Sequence, residues 1–283
     1  MRAMSLRKKI TLDILYFLAA TLFAIYFLIP LWQTFVGAFS TFQDVNSGVF
    51  RLYPRVFSWN LPRLLEQQVY PPMRVLIQNT LLLSMTAIPC VFFSSLTAFG
   101  LARFRVRGQG IIFGMIMSTI MLPFSVTMIP RFEMFSAFGW INTYWPFFVP
   151  QLCGHATAIF LLRQFMRNVP RELDDSAKVD GAGYWRVYWS IMMPIAKPAL
   201  ATTFIFAFVG AWNDFMGPLV FLTSNNRFPL SLGIMTLMTQ GVRVTEWQCI
   251  MLACLMATAP PLAVFFIFQR FIIKGVVMSG LKG

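Results

Sequence analysis

Arg74-Val-Leu-Ile-Gln-Asn-Thr-Leu-Leu-Leu-Ser-Met-Thr-Ala-Ile-Pro-Cys-Val-Phe-Phe-Ser-Ser-Leu-Thr-Ala-Phe-Gly-Leu-Ala-Arg103 carries no charge between its two terminal arginines. About 20 apolar residues at a rise of 1.5 Å each cross a hydrocarbon core of roughly 30 Å, so this stretch is long enough to span a bilayer. Four further stretches lack Asp, Glu, Lys and Arg: Asp13 to Asp44, Arg107 to Arg131, Glu133 to Arg163 and Glu246 to Arg270. A sixth apolar run, from about Pro198 to Leu222, is interrupted by one acid, Asp214. The reading is an all-α, polytopic membrane protein with six transmembrane helices, at about 14–38, 75–102, 109–130, 144–166, 198–222 and 247–269.

Composition points the same way. The chain is 58% hydrophobic and 12% charged, whereas soluble domains sit near 45–50% and about 25%. The apolar excess therefore serves lipid. Arg7, Lys8 and Lys9 precede an apolar run from Ile14 to about Phe35, longer than the roughly 7–15-residue core of a signal peptide. It reads as a retained first helix.

The net charge of +13 raises nucleic acid as a partner, but the positions of the charges speak against it. With six spans and both termini cytoplasmic, the inside holds Arg2, Arg7, Lys8, Lys9, Arg103, Arg105, Arg107, Arg163, Arg167, Arg171, Lys178, Arg186, Lys197, Arg270, Lys274 and Lys282. The outside holds Arg51, Arg55, Arg63, Arg74, Arg131, Arg227 and Arg243. Sixteen of the 23 basic residues thus flank the spans on one side, as the positive-inside rule requires. No basic stripe interleaves with stacking aromatics as in a nucleic-acid groove.

Residues 40–73, rich in Pro, Gly, Asn and Ser with little helical period, read as a large outer loop. Arg103 to Gly110 is a tight basic turn on the inside. Cys90, Cys153, Cys249 and Cys254 lie in or beside the spans without metal-ligand spacing, so no metal site is expected and they read as packing residues. No Gly-x-x-x-x-Gly-Lys-Ser/Thr phosphate loop occurs. ATP-driven transport would therefore need a separate ATPase chain, docked on the longest cytoplasmic segment.

That segment, 168–194, lies between the fourth and fifth spans. Pro170 suits a first helical position, Glu172, Asp174 and Asp175 complement the N-terminal dipole, and Gly181 suits a left-handed cap. A short helix from Arg171 to Val179 follows, with Asp174–Lys178 and Arg171–Asp175 as i, i+4 pairs and Leu173, Ser176 and Ala177 as a small-residue face. Beyond it Tyr184, Trp185, Tyr188, Trp189 and Met192 share one helical face, which predicts a second short helix along the membrane interface.

This stretch resembles the cytoplasmic signature of binding-protein-dependent permeases: Glu-Ala-Ala, three residues, Gly, nine residues, Ile-x-Leu-Pro. Here it stands as Asp175-Ser176-Ala177, Gly181 and Ile191-Met192-Met193-Pro194, with Asp for Glu, Ser for Ala and Met for Leu. The resemblance extends over almost the whole chain and is closest to carbohydrate-type permeases of the maltose and glycerol-phosphate importer group. It is carried further by Ala102-Arg-Phe-Arg105 with Gly108, Met121-Leu-Pro123 with Ile129-Pro130, and Leu161-Leu-Arg-Gln-Phe165. Trp212-Asn-Asp-Phe215, Gln269-Arg-Phe271 with Gly275, and Lys282-Gly283 complete it.

The resemblance implies one permease domain over 1–283 in a bacterial or archaeal plasma membrane, with a sister permease, two ATP-binding-cassette ATPases and an extracytoplasmic solute-binding protein. It implies no cofactor on this chain, ATP and Mg being held by the ATPases, and no catalysis by the chain itself. Glu172, Asp175, Ser176, Ala177, Asp180, Gly181 and Pro194 are the expected ATPase-coupling residues. The implied cargo is a sugar or related polar solute, with a non-carbohydrate solute as the alternative.

Three residues stand apart. Asp214 interrupts an apolar span, where a charge costs about 2.5–3.5 kcal/mol and is paired or functional. With Trp212 and Asn213 it either faces the translocation path or hydrogen-bonds a neighbouring helix near the outer end of its span. His155, the sole histidine, reads as packing rather than proton relay. An ion-coupled transporter would want more intramembrane ionisable groups and an internal repeat. An intramembrane enzyme would want a nucleophile or metal-ligand motif, and the sequence has neither.

Overall fold

A computed structural model describes residues 6–66, 72–104, 106–239 and 246–280, with the side chains of 6–11, 63, 65, 66 and 271–280 left undescribed. Of the residues invoked above, Arg2, Arg105, Arg243, Lys282 and Gly283 lie outside the described residues. The described chain is helical, with no strand among the described residues.

In chain order the helices are α1 (Leu6–Ala38), α2 (Phe42–Asn46), α3 (Leu61–Glu66), α4 (Met73–Ser84) and α5 (Ala87–Arg103). Next come α6 (Gln109–Ser118), α7 (Phe124–Ala137), α8 (Trp145–Phe148), α9 (Ala156–Asn168) and α10 (Glu172–Val179). The last are α11 (Tyr184–Val187), α12 (Met193–Ile195), α13 (Lys197–Trp212), α14 (Met216–Phe221), α15 (Leu230–Thr239) and α16 (Trp247–Gly280).

Among the described residues, four segments are long and apolar enough to cross a membrane: Leu12–Ala38, Met73–Arg103, Trp145–Asn168 and Trp247–Arg270. Two bent pairs raise the number to six if each counts as one span. The expected third span, 109–130, is not one straight helix. Gln109–Met121 turns by 101° into Phe124–Ala137 at Leu122-Pro123, because proline disfavours helical geometry in the residue before it. The expected span 198–222 is also divided: α13 ends at Trp212 and α14 begins at Met216. Sixteen residues make about 24 Å of helix, short of a full crossing. The preceding segment Tyr184–Ile195 meets α13 at 78°.

Two compact units divide the chain: residues 1–67 with 237–256, and residues 68–236 with 257–283. In the first, the segment expected to be an irregular outer loop carries α2 and α3. Thr41 caps α2, its Oγ1 accepting from the Asp44 N–H at 3.4 Å. Beyond α1, Asn60 is fully buried and its side-chain amide donates to the Ala38 and Ser40 carbonyls at 2.8 and 2.9 Å, satisfying acceptors that the helix end leaves open.

In the second unit α5 packs on α9 and α13. Its core runs through Ala98, Phe99, Ala102, Leu162, Met166, Val169, Ala177, Val187, Tyr188, Met192 and Ala196. Close approach is needed where Gly154, at φ +74, sits so that a Cβ would meet the Ser94 backbone at 3.1 Å.

Candidate coupling site

The site is built on the C-terminal end of α5. Helix ends leave carbonyls without partners, and here side chains from other elements supply the donors. Arg163 Nε donates to the Leu101 carbonyl at 3.2 Å, Arg171 Nη2 reaches the Ala102 carbonyl at 3.5 Å, and the Gln109 amide also donates to Leu101. Cationic donors at a helix C-terminus are favoured by the dipole as well. Arg103 Nη1 donates to the Val169 carbonyl at 3.0 Å, which fixes the linker between α9 and α10.

α10 runs from Glu172 to Val179, with Glu172, Asp174 and Asp175 in its first turn. Its end is a Schellman motif: Gly181 N–H donates to the Lys178 carbonyl at 2.9 Å and Ala182 N–H to the Ala177 carbonyl at 2.8 Å. Gly181 has φ +78, the left-handed conformation that glycine adopts without steric cost. The stop expected from the sequence is present.

The expected charge pairing is not. Asp174 does not pair with Lys178; it lies 3.2 Å from Arg103 Nε, with both side chains under 10% exposed. Lys178 instead reaches Asp175 at 3.2 Å, i to i+3 and exposed. The predicted small-residue face also divides, since Ala177 is buried while Leu173 and Ser176 are exposed. The inward face of α10 is Asp174 and Ala177. Its outward face presents Glu172, Leu173, Asp175, Ser176, Val179 and Asp180, an acidic rim around Val179, which is 89% exposed.

The aromatic segment that follows departs from a plain interfacial helix. α11 passes into a π-helical stretch, Tyr188–Met192, before α12. Val187, Tyr188 and Met192 are buried while Tyr184, Trp185 and Trp189 are exposed, the π-helical i to i+5 spacing bringing Val187 and Met192 to one side. Tyr188 shares a 2.6 Å hydrogen bond with Ser95 Oγ and an edge-to-face contact with Phe99 at 5.3 Å. Pro194 lies exposed in α12.

Asp174, Arg103 and Tyr188 are thus the buried residues of the candidate site whose contacts sequence spacing missed. Arg103 lies in the basic turn, but its partner is far along the chain and Lys178 offered Asp174 a nearer one.

The translocation-path candidates are placed as follows. Trp212 is buried, and its indole N–H donates to the Ala257 carbonyl at 2.8 Å. That carbonyl has Pro260 and Pro261 at i+3 and i+4, neither of which carries an N–H, so α16 cannot satisfy it. Asn213 is exposed. Asp214 lies in the break before α14, where its Oδ1 accepts from the Gly217 N–H at 3.1 Å and its own carbonyl accepts from Ser231 Oγ at 2.7 Å. His155 is exposed just before α9, with its backbone N–H donating to Ser94 Oγ at 2.9 Å. No cluster of three or more metal-ligating side chains occurs among the described residues.

Residues 91–278 match the family described as binding-protein-dependent transport system inner membrane component, and the chain belongs to it. It is 32% identical over 193 residues to the arabinooligosaccharides transport system permease protein AraQ of Halalkalibacterium halodurans, covering 68% of each chain. It is 30% identical over 257 residues to the sn-glycerol-3-phosphate transport system permease protein UgpE of Pectobacterium atrosepticum, covering 89% of this chain and 91% of that one. Its fold matches a chain of a bacterial ABC transporter involved in the import of the acidic polysaccharide alginate, with TM-score 0.82, 20% identity, and coverage of 96% of this chain and 100% of that one. A second solved structure, a bacterial alginate ABC transporter in complex with an alginate pentasaccharide-bound periplasmic protein, matches with TM-score 0.67 and 16% identity over 94% of this chain and 96% of that one.

Proposed function

We propose that the chain works as one permease domain of an ATP-binding-cassette importer, passing a sugar or sugar-like polar solute across a bacterial or archaeal inner membrane. It does so beside a sister permease, with two ATPases on the inside and a solute-binding protein on the outside. The observation that carries this reading is α10, whose Asp174–Ala177 face is seated in the core while Glu172, Asp175, Ser176, Val179 and Asp180 face outward. Of the signature residues, Asp175 and Ser176 lie on that outward face and Gly181 just beyond it, whereas Ala177 is buried beneath it.

The chain carries no phosphate loop, so ATP and Mg belong to the ATPases and the chain contributes movement rather than chemistry. Closing the ATPase pair would draw the coupling helices together and tilt the spans from inward-facing to outward-facing. Both termini are assigned to the cytoplasm by the distribution of Lys and Arg. The sugar class is supported by the similarity to permeases of arabinooligosaccharide and glycerol-phosphate transport systems. An ion-coupled mechanism has less support, because the Asp214 carboxylate is occupied in capping α14.

The test is to purify the complex through this chain and identify its components and the solute held by its binding protein. Two ATPase chains, a second permease and a bound carbohydrate are expected; a chain that purifies without any ATPase contradicts the reading.

A further inference from the structure

We infer that Arg103 and Asp174 are a positioning pair that carries movement of α10 into the Met73–Arg103 span. The inference rests on the permease reading above.

Arg103 is the last residue of α5, and Asp174 faces inward from the opposite side of α10 to the proposed ATPase contact. Their side chains are 4% and 9% exposed and approach to 3.2 Å. The same guanidinium holds the Val169 carbonyl at 3.0 Å. One planar group therefore ties the end of a long apolar span to both the coupling helix and the linker that leads into it. Apolar packing through Ala102 and Ala177 fills space but resists sliding poorly, whereas an Arg–carboxylate pair fixes direction.

Stability does not account for the pair. Arg103 Nη2 and Asp174 Oδ1 are buried with no hydrogen-bond partner among the described residues, and the Nε approach is an ion pair out of line for a hydrogen bond. A buried pair in this half-made form is a poorer packing element than two apolar side chains. Parallel two-bond pairing is open to the same two groups, and a movement of α10 along α5 would complete it. The pair is half-made in this conformation and closes in the other transport state.

The experiment uses the whole complex, reconstituted with its sister permease, ATPases and binding protein, carrying a nitroxide at Gln78. Gln78 is exposed on α4, the outer part of the same span. ATP with vanadate is the probe, and the spectral shift is compared for the native pair and for Arg103→Met with Asp174→Leu. The native complex is expected to shift, and the apolar double variant to hydrolyse ATP while losing the shift. Arg103→Lys, which keeps the charge but not the fork, should assemble and shift less than native; it decides the matter if the double variant does not assemble. An undiminished shift in an assembled variant overturns the pair's role and leaves the permease reading standing. Absence of a shift in the native complex removes the movement that the pair is inferred to carry and overturns the inference; the permease reading stands or falls separately, on the ATPases that co-purify with the chain.

Discussion

One indole N–H separates the Ala257 carbonyl from having no donor at all, because Pro260 and Pro261 remove both positions that would serve it within α16. Trp212→Phe keeps the ring in place and deletes the donor. It should lower stability by about 1–3 kcal/mol, the cost of one buried unsatisfied group, read as a lower thermal midpoint of the detergent-solubilised complex; an unchanged midpoint would show that the carbonyl finds another partner. Two of the glycines at positive φ, Gly154 and Gly181, differ in a testable way. Gly154 has Ser94 within 3.1 Å of where a Cβ would stand, whereas nothing lies within 4 Å at Gly181. Alanine at either position meets the backbone cost of about 1 kcal/mol, and at Gly154 it adds a clash with backbone atoms. Gly154→Ala should therefore reduce the yield of folded protein more than Gly181→Ala does, as measured by size-exclusion profiles after matched expression.

At the scale of the helix, the stop of α10 was legible because a glycine after an acidic, capped run has one local meaning. The direction of its inward face was not. Spacing alone placed Asp174 beside Lys178, yet once the helix is docked the buried Arg103 side chain is nearer to Asp174 than the exposed Lys178, and the acid turns inward. The double proline at 260–261 was the available clue to Trp212, since it predicts an orphan carbonyl in need of an outside donor. The positions of the spans were legible from gaps in charge, but their bends were not, because a run of apolar residues sets length and not angle. Pro123 was an available sign of the break that the reading of 109–130 as one span passed over, and it carries no measure of the 101°. Gly181→Val places a β-branched side chain at φ +78, which costs about 1–2 kcal/mol and re-aims the segment after α10. Its expected effect is weaker retention of the ATPases on co-purification, with normal membrane insertion; full retention would show that the Schellman turn has no part in docking.

For the molecule as a whole, the proposed topology puts residues 40–73 outside and the segment 168–194 inside. Ser47 and Ser190 are both exposed and are assigned to opposite sides. With Cys90, Cys153, Cys249 and Cys254 replaced, a cysteine at position 47 should react with an impermeant thiol reagent in intact cells, and one at position 190 should react only after lysis; the reverse pattern would invert the topology. The central claim is that the outward face of α10 links ATP hydrolysis to solute movement, and Asp175 is an exposed member of that face whose sign can be reversed without touching the core. The most direct measurement is solute uptake and ATP hydrolysis side by side in proteoliposomes, using the solute found in the binding protein and comparing the native complex with Asp175→Lys. The account predicts that the variant complex, once assembled, moves several-fold less solute per ATP hydrolysed. Uptake per ATP equal to that of the native complex would contradict it and make the segment 168–194 a connector only.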